Sequence, residues 1–204
     1  MFTGIIEDLG TIGSVKRAND GARIAVRTAL RVASIKIGDS IAVNGVCVTV
    51  VAKGRGKLAM DLSAETLRRT TIGGLRAGQR VNLERCLTLD KLVGGHLVQG
   101  HVDGVARLVS VTSEGDSKLY EFEAPAAHAR YLIEKGSVAL DGVSLTVFSI
   151  HQNRFSCALI PHTLRVTTLG LKAPGDTVNL EIDMLAKYVE RMLVDRGRTF
   201  AATS

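Results

Sequence analysis

One pattern occurs twice in this chain, in the same order and at a nearly constant spacing. Asn44-Gly45-Val46-Cys47-Val48-Thr49-Val50 returns as Asp141-Gly142-Val143-Ser144-Leu145-Thr146-Val147. Thr66-Leu67-Arg68 returns as Thr163-Leu164-Arg165, Thr70-Thr71 as Thr167-Thr168, and Gly78 to Glu84 as Gly175 to Glu181. Each returns 97 residues on; only the start slips by one, where Gly4 to Glu7 returns 96 residues later as Gly100 to Asp103. So many matches at one offset exclude coincidence. Copies of this length can each enclose a core, so the chain is a duplicated domain and not a solenoid.

Each copy reads as short strands joined by glycine-rich turns. Asn44-Gly45 and Asp141-Gly142 predict type I′ hairpin turns, because both central residues of that turn need positive φ. Alternation then puts Cys47 and Thr49 on one strand face, and Ser144 and Thr146 on the matching face of the second copy. Strands are expected over 1–15, 23–28, 58–62 and 78–84, and a hairpin over 38–52. Residues 63–70 should form a short helical turn with a hydroxyl N-cap. This spacing predicts a small antiparallel barrel per copy, an all-β fold. The first domain is expected over 1–96 and the second over 97–183, joined near the glycines of 92–97. Residues 184–204 break the pattern. Apolar residues at 185, 188, 189, 192 and 193 form one helical stripe, with Asp183 placed to cap it. Two barrels leave that stripe no third core, so packing on another chain is favoured over docking on its own second barrel. Residues 198–204 are expected to fray.

Composition narrows the function classes. Aromatic residues make up 4% of the 204, so the cores must be mostly aliphatic. A net charge of +6 raises nucleic acid as a partner. The basic residues are scattered, however, and few aromatics are available for stacking, so nucleic acid is not expected. Cys47, Cys86 and Cys157 show no paired spacing, which argues against disulfides and zinc and fits the cytoplasm. Cys86 and Cys157 read as structural, and His128 and His151 as surface residues. His96 and His101, five apart on one strand, would face opposite sides and not chelate together. No membrane is expected as a partner, since no apolar run reaches spanning length, and Met1 to Glu7 does not read as a signal peptide.

A set of segments carries a more specific likeness. Met-Phe-Thr-Gly-Ile-Ile-Glu at 1–7, Asn-Gly-Val-Cys-Val-Thr-Val at 44–50 and Glu-Thr-Leu-Arg at 65–68 come first. Gly-Gly-His-Leu-Val-Gln-Gly-His-Val at 94–102, Asp-Gly-Val-Ser-Leu-Thr-Val at 141–147, Ile-Pro-His-Thr-Leu at 160–164 and Val-Asn-Leu-Glu-Ile-Asp at 178–183 follow. In this order they closely resemble the riboflavin synthase alpha-chain family, from Met1 to about Arg196. The resemblance implies two similar six-stranded barrels, a C-terminal helix that drives a homotrimer, and a transferase without cofactor or metal. Two molecules of 6,7-dimethyl-8-ribityllumazine would exchange a four-carbon unit, giving riboflavin and 5-amino-6-(D-ribitylamino)uracil. One lumazine would sit on each barrel, and the reacting pair would meet between barrels of neighbouring subunits. Lumazine synthase is a candidate partner.

Carried onto matching positions, the family's ligand contacts in the first barrel would be Phe2, Gly4, Ile5, Ile6, Cys47, Val48, Thr49, Asp61, Leu62, Ser63, Ala64, Glu65 and Thr66. In the second they would be Gly100, His101, Val102, Lys135, Ser144, Leu145, Thr146, Ala158, Leu159, Ile160, Pro161, His162 and Thr163. His162 departs from the family's usual glutamate. A flat heterocycle with a polyol chain needs hydrogen-bonding groups along its edge and small hydroxyls for the ribityl, and the recurring threonines suit this. Two identical molecules must do different jobs, and equivalent positions differ accordingly: Cys47 against Ser144, Asn44 against Asp141, Glu65 against His162, Ile5 against His101. The reaction removes a proton from the acidic C7 methyl group and adds a nucleophile at C7 of the partner. His101 is the candidate proton shuttle and Cys47 the candidate nucleophile or polar orienter. Ser144, Thr146 and Asp183 would position water or stabilise charge. Two rivals stand beside this reading: a non-catalytic lumazine-binding protein with the same barrels, and a flavin-dependent oxidoreductase barrel. The second lacks a Gly-x-Gly-x-x-Gly nucleotide site here. Intact Phe2, Cys47, His101 and Ser144 and the apolar tail favour the enzyme.

Overall fold

The computed structural model describes residues 1–18 and 20–201, with side chains described as far as Leu193. Six strands build the first half: β1 Asp8–Ala18, β2 Gly21–Arg27, β3 Ser40–Val43, β4 Val46–Gly54, β5 Lys57–Ser63 and β6 Arg80–Arg85. They close into an antiparallel barrel in the order β1-β2-β5-β4-β3-β6. The second half repeats the circuit with β7 Gly104–Glu114, β8 Ser117–Glu123, β9 Ser137–Leu140, β10 Val143–His151, β11 Arg154–Leu159 and β12 Thr177–Ile182. Even the irregularities repeat. Register slips lie between Ile12 and Ser14 in β1 and between Leu108 and Ser110 in β7, and again between Val50 and Ala52 in β4 and Val147 and Ser149 in β10. Bulges bend strands and increase twist, which lets short strands close a barrel.

The first core is aliphatic as composition requires, with Ile12, Ile24, Val50, Met60 and Leu83 inside. The second differs: Tyr120, Phe122 and Phe155 enter it, the two phenylalanine rings stacked at 5.6 Å. Each such side chain contributes about 1.5–3 kcal/mol by leaving water.

The two predicted turns form, with φ of 44° at Asn44, 75° at Gly45, 45° at Asp141 and 79° at Gly142. They also meet each other. A Cβ on Gly45 would lie 2.6 Å from the Gly142 nitrogen, and one on Gly142 2.7 Å from the Gly45 nitrogen. Amide side chains cross the same junction as a pair. Asn82 Nδ2 donates to the Asp141 carbonyl at 2.9 Å, and Asn179 Nδ2 to the Asn44 carbonyl at 2.8 Å. Their Oδ1 atoms accept from the Thr168 and Thr71 backbone, both at 2.7 Å. The barrels are thus related by a local twofold axis that passes between the turns.

The expected strand over 1–15 begins only at Asp8. The preceding residues leave the barrel because the buried Glu84 carboxylate captures them. It accepts from Thr3 N at 2.7 Å, Thr3 Oγ1 at 2.6 Å and Gly4 N at 3.0 Å. Glu181 does the same for Gln99 N at 2.6 Å and Gly100 N at 2.9 Å. The two freed segments pair with each other instead. Phe2 N donates to Val98 O at 2.7 Å and Val98 N to Phe2 O at 3.1 Å. Phe2 and Val98 form a small apolar plug with Ala42 and Ala139, one contribution from each copy at each level.

The short helix α1, Ala64–Arg69, is capped as expected, with Ser63 Oγ accepting from Thr66 N at 3.1 Å. α2 spans Ala126–Ala129, and α3, Pro161–Val166, starts on proline with no side-chain cap. The tail is the helix α4, Met184–Ala201, and Asp183 Oδ1 accepts from Leu185 N at 3.0 Å at its start. The helix therefore runs into the region expected to fray; residues 202–204 lie outside the described ones. Lys187–Asp103 and Arg130–Glu190 ion pairs, both 2.7 Å, tie α4 to the second barrel. Its apolar stripe still faces solvent in the single chain: Leu185 is 64% exposed, Val189 55% and Leu193 63%. Among the described residues no helix is long and apolar enough to cross a membrane.

Candidate functional site

The Phe2–Val98 ribbon has two ends, and each end lands on the opposite barrel. Gly4 continues onto β10, where its carbonyl accepts from Ser144 N at 2.8 Å. Gly100 continues onto β4, where its carbonyl accepts from Cys47 N at 2.9 Å. Both glycines have left-handed φ, 74° and 81°. A Cβ on either would come within 2.6 Å of the Ser144 or Cys47 Cβ, so only glycine permits this approach. Ile6 packs on the second core and Val102 on the first. The expected grouping is therefore corrected. Gly4, Ile5 and Ile6 accompany Ser144 in the second barrel, and Gly100, His101 and Val102 accompany Cys47 in the first. The cause is the carboxylate capture that pulls each segment across the twofold axis.

The five candidate catalytic residues fall into two groups. Cys47 lies half-buried against the apolar plug, beside Gly100, with His101 exposed next in the chain. Ser144 and Thr146 stand on β10. Ser144 Oγ lies 2.7 Å from His96 Nδ1. Burial lowers the His96 pKa, partly opposed by the charge of Asp183, so the ring is neutral near pH 7. A neutral imidazole can either accept the Ser144 proton or donate to its oxygen. Asp183 thus joins this group through His96. Sequence reasoning treated His96 only as a poor chelator. It has no counterpart in the repeat, and nothing in its spacing marks Ser144 as its partner.

The remaining candidate contacts divide by side-chain direction. Val48, Leu62, Leu159 and Phe2 point into cores or the plug, so only their main chain could reach a ligand. Leu145 is half-buried against the second core. Thr49, Thr146 and Ala158 face outward on the barrel walls, and Ile160 and His162 are exposed at the start of α3. Asp61 is held by Arg23 through two contacts of 2.6 and 2.8 Å, and Glu65 pairs with Arg68 and Arg69. Ser63 and Thr66 hydroxyls lie 3.0 Å apart at the α1 start, whereas Ile160 and Pro161 occupy the equivalent place before Thr163. Ala64 lies just inside α1. Lys135, with φ of 65°, reaches over the Phe148 ring at 5.0 Å. Each barrel thus presents an outward, half-polar wall closed at one end by a glycine from the other half. Cys157 is inert in the second core, its thiol pushed up to about 12 by burial. No cluster of His, Cys, Asp and Glu among the described residues could hold a metal.

Two closed barrels with such crossed ends define a duplicated small-ligand-binding domain. The sequence matches the lumazine binding domain twice, over residues 3–86 and 99–183, and the chain belongs to that family. Relatives extend this along nearly the whole chain. The riboflavin synthase of Brucella abortus is 47% identical over 94% of this chain and 98% of its own. That of Mycobacterium tuberculosis is 46% identical over 97% and 100%, and that of Bacillus subtilis 38% identical over 95% and 90%. Among solved structures, LumP complexed with riboflavin superposes with a TM-score of 0.83 at 25% identity, covering 89% of this chain and 99% of that one.

Proposed function

We propose that this chain is a riboflavin synthase, a transferase that dismutates two 6,7-dimethyl-8-ribityllumazine molecules into riboflavin and 5-amino-6-(D-ribitylamino)uracil. The observation that carries the reading is near-full-length similarity to riboflavin synthases, in a chain that holds the lumazine binding domain twice. Unequal residues at equivalent places fit a reaction in which one molecule gives four carbons and its twin receives them. In the first seat, Cys47 orients or attacks C7 and His101 moves the methyl proton. In the second, Ser144, Thr146 and Asp183 position water and balance charge, and neutral His96 exchanges a proton with Ser144. Much of the rate comes from holding two rings face to face, an effect worth roughly 7–11 kcal/mol. Within one chain the two seats lie on different barrels, so the reacting pair needs a neighbouring subunit. A homotrimer built on the exposed α4 stripe would bring an N-terminal barrel against a C-terminal one. Free thiols fit a reducing cytoplasm. Lumazine synthase is the partner that would supply substrate.

Incubation with the lumazine, followed by riboflavin absorbance, tests the activity. Riboflavin and the uracil should appear in equal amounts. Tight lumazine binding without product would instead make the chain a non-catalytic carrier of this fold.

A further inference from the structure

The two crossed segments are each held from behind by a carboxylate and a lysine, and the two devices are alike. Glu7 follows Gly4 by three residues and accepts from Lys91 Nζ at 2.7 Å and from Arg85 Nε at 2.6 Å. Asp103 follows Gly100 by three residues and accepts from Lys187 Nζ at 2.7 Å and from Ile182 N at 2.9 Å. Glu7 and Asp103 are 96 residues apart, as Gly4 and Gly100 are; Lys187 lies one residue short of the position that matches Lys91 at the 97-residue offset of the preceding strands, so the two lysines occupy comparable rather than aligned places. Residues 85 and 182 are equivalent as well: one donates by side chain, the other by main chain. Each lysine also faces the carboxylate that captures the segment. Lys91 lies 3.5 Å from Glu84, and the charge of Lys187 acts on Glu181.

These are not loose surface pairs. The side chains of Glu7 and Lys91 are 16% and 27% exposed, and those of Asp103 and Lys187 18% and 32%. Between each glycine and its carboxylate lie the residues expected to touch ligand, Ile5 and Ile6 in one case, His101 and Val102 in the other. Those residues stand outside every strand, so no ladder fixes them. Their position depends on the glycine at one end and the carboxylate at the other.

We propose that Lys91 and Lys187 are positioning residues for the two ligand seats. Lys91 holds Gly4 to Ile6 against Ser144 in the second-barrel seat. Lys187 holds Gly100 to Val102 against Cys47 in the first-barrel seat. The crossing makes the assignment reciprocal: each lysine follows the barrel in its own half and serves the seat on the other. Lys187 also stands on α4, so the helix that carries the exposed apolar stripe is tied to the first seat. This rests on the lumazine-type ligand proposed above.

The test uses the full-length chain and ¹³C-labelled riboflavin. The two seats differ in sequence and should give two sets of bound signals. Lys187→Gln should weaken one set roughly tenfold and leave the other in place. Lys91→Gln should weaken the other set, and Lys187→Arg should restore the first. Thermal midpoint and mass in solution are measured on the same samples. Loss of both sets in either variant, or loss of the same set in both, overturns the proposal. So does a lowered midpoint with both sets intact, which would make the pairs mere staples. If the unmodified chain binds no riboflavin at all, the functional reading fails first, and the proposal falls with it.

Discussion

At the scale of single residues the repeat serves as an internal control. Asn44 and Asp141 occupy equivalent places and do equivalent work. Asn44 Oδ1 accepts from Asn82 N at 2.7 Å, and Asp141 Oδ1 from Asn179 N at 2.8 Å. Asp141 is fully buried, and its charge is met by Lys172 at 3.5 Å, where the first copy has Leu75. Burial raises the Asp141 pKa, and the lysine offsets this only in part. A carboxylate with a raised folded pKa contributes stability below its unfolded pKa and loses it as pH rises through the folded one. Asp141→Asn should therefore flatten the stability curve from just above the ordinary carboxylate range upward, as denaturant titrations across pH would reveal. Lys172→Leu alone leaves a buried charge without its partner and should cost about 3–5 kcal/mol. The double variant, which copies the first repeat, should recover most of that. Sequence comparison of the copies found this difference. It did not find the lysine, because Lys172 reaches Asp141 only through the folded second barrel, 31 residues away in sequence.

At the scale of elements, the turns were legible and their meeting was not. Asn-Gly and Asp-Gly announce positive φ locally, and that is a property of two residues. That Gly45 and Gly142 also lack a Cβ for each other's sake is a property of the docked barrels. Gly45→Ala should thus cost more than the ~1 kcal/mol of a strained turn, because its Cβ would strike backbone that cannot turn aside. A cost of several kcal/mol by denaturant unfolding is the expected outcome, and a loss near 1 would show that the turns separate easily. Strand positions were readable from alternation, as the burial of Leu58, Met60 and Leu62 along β5 shows. Residues 2–6 misread as strand because their apolar content matches one. What diverts them is Glu84, about 80 residues away in sequence and buried, and no local pattern reports such a partner.

At the scale of the whole molecule, α4 presents its polar side to its own barrel and its apolar side outward. Lys187 and Glu190 anchor the helix to its own barrel, while Leu185, Val189 and Leu193 remain uncovered in the single chain. Ending the chain after Asp183 should convert the proposed trimer into monomers in sedimentation or light scattering and abolish turnover; an unchanged mass would remove the helix from assembly. The candidate site read from sequence as two half-seats of unequal residues, but the crossing was not legible, since it lies in contacts such as Gly4 to Ser144 that span most of the chain. That separation has a kinetic consequence. Gly4 leaves the ribosome about 140 residues before the strand it must join, while Gly100 emerges with its strand, at Cys47, already made. The first barrel can close its own ladders early and Glu84 can already hold Thr3 and Gly4, yet the Gly4–Ser144 contact must wait until the second hairpin exists. Contacts of such long range are slow to form, so completion of the second-barrel seat is expected to come late in folding.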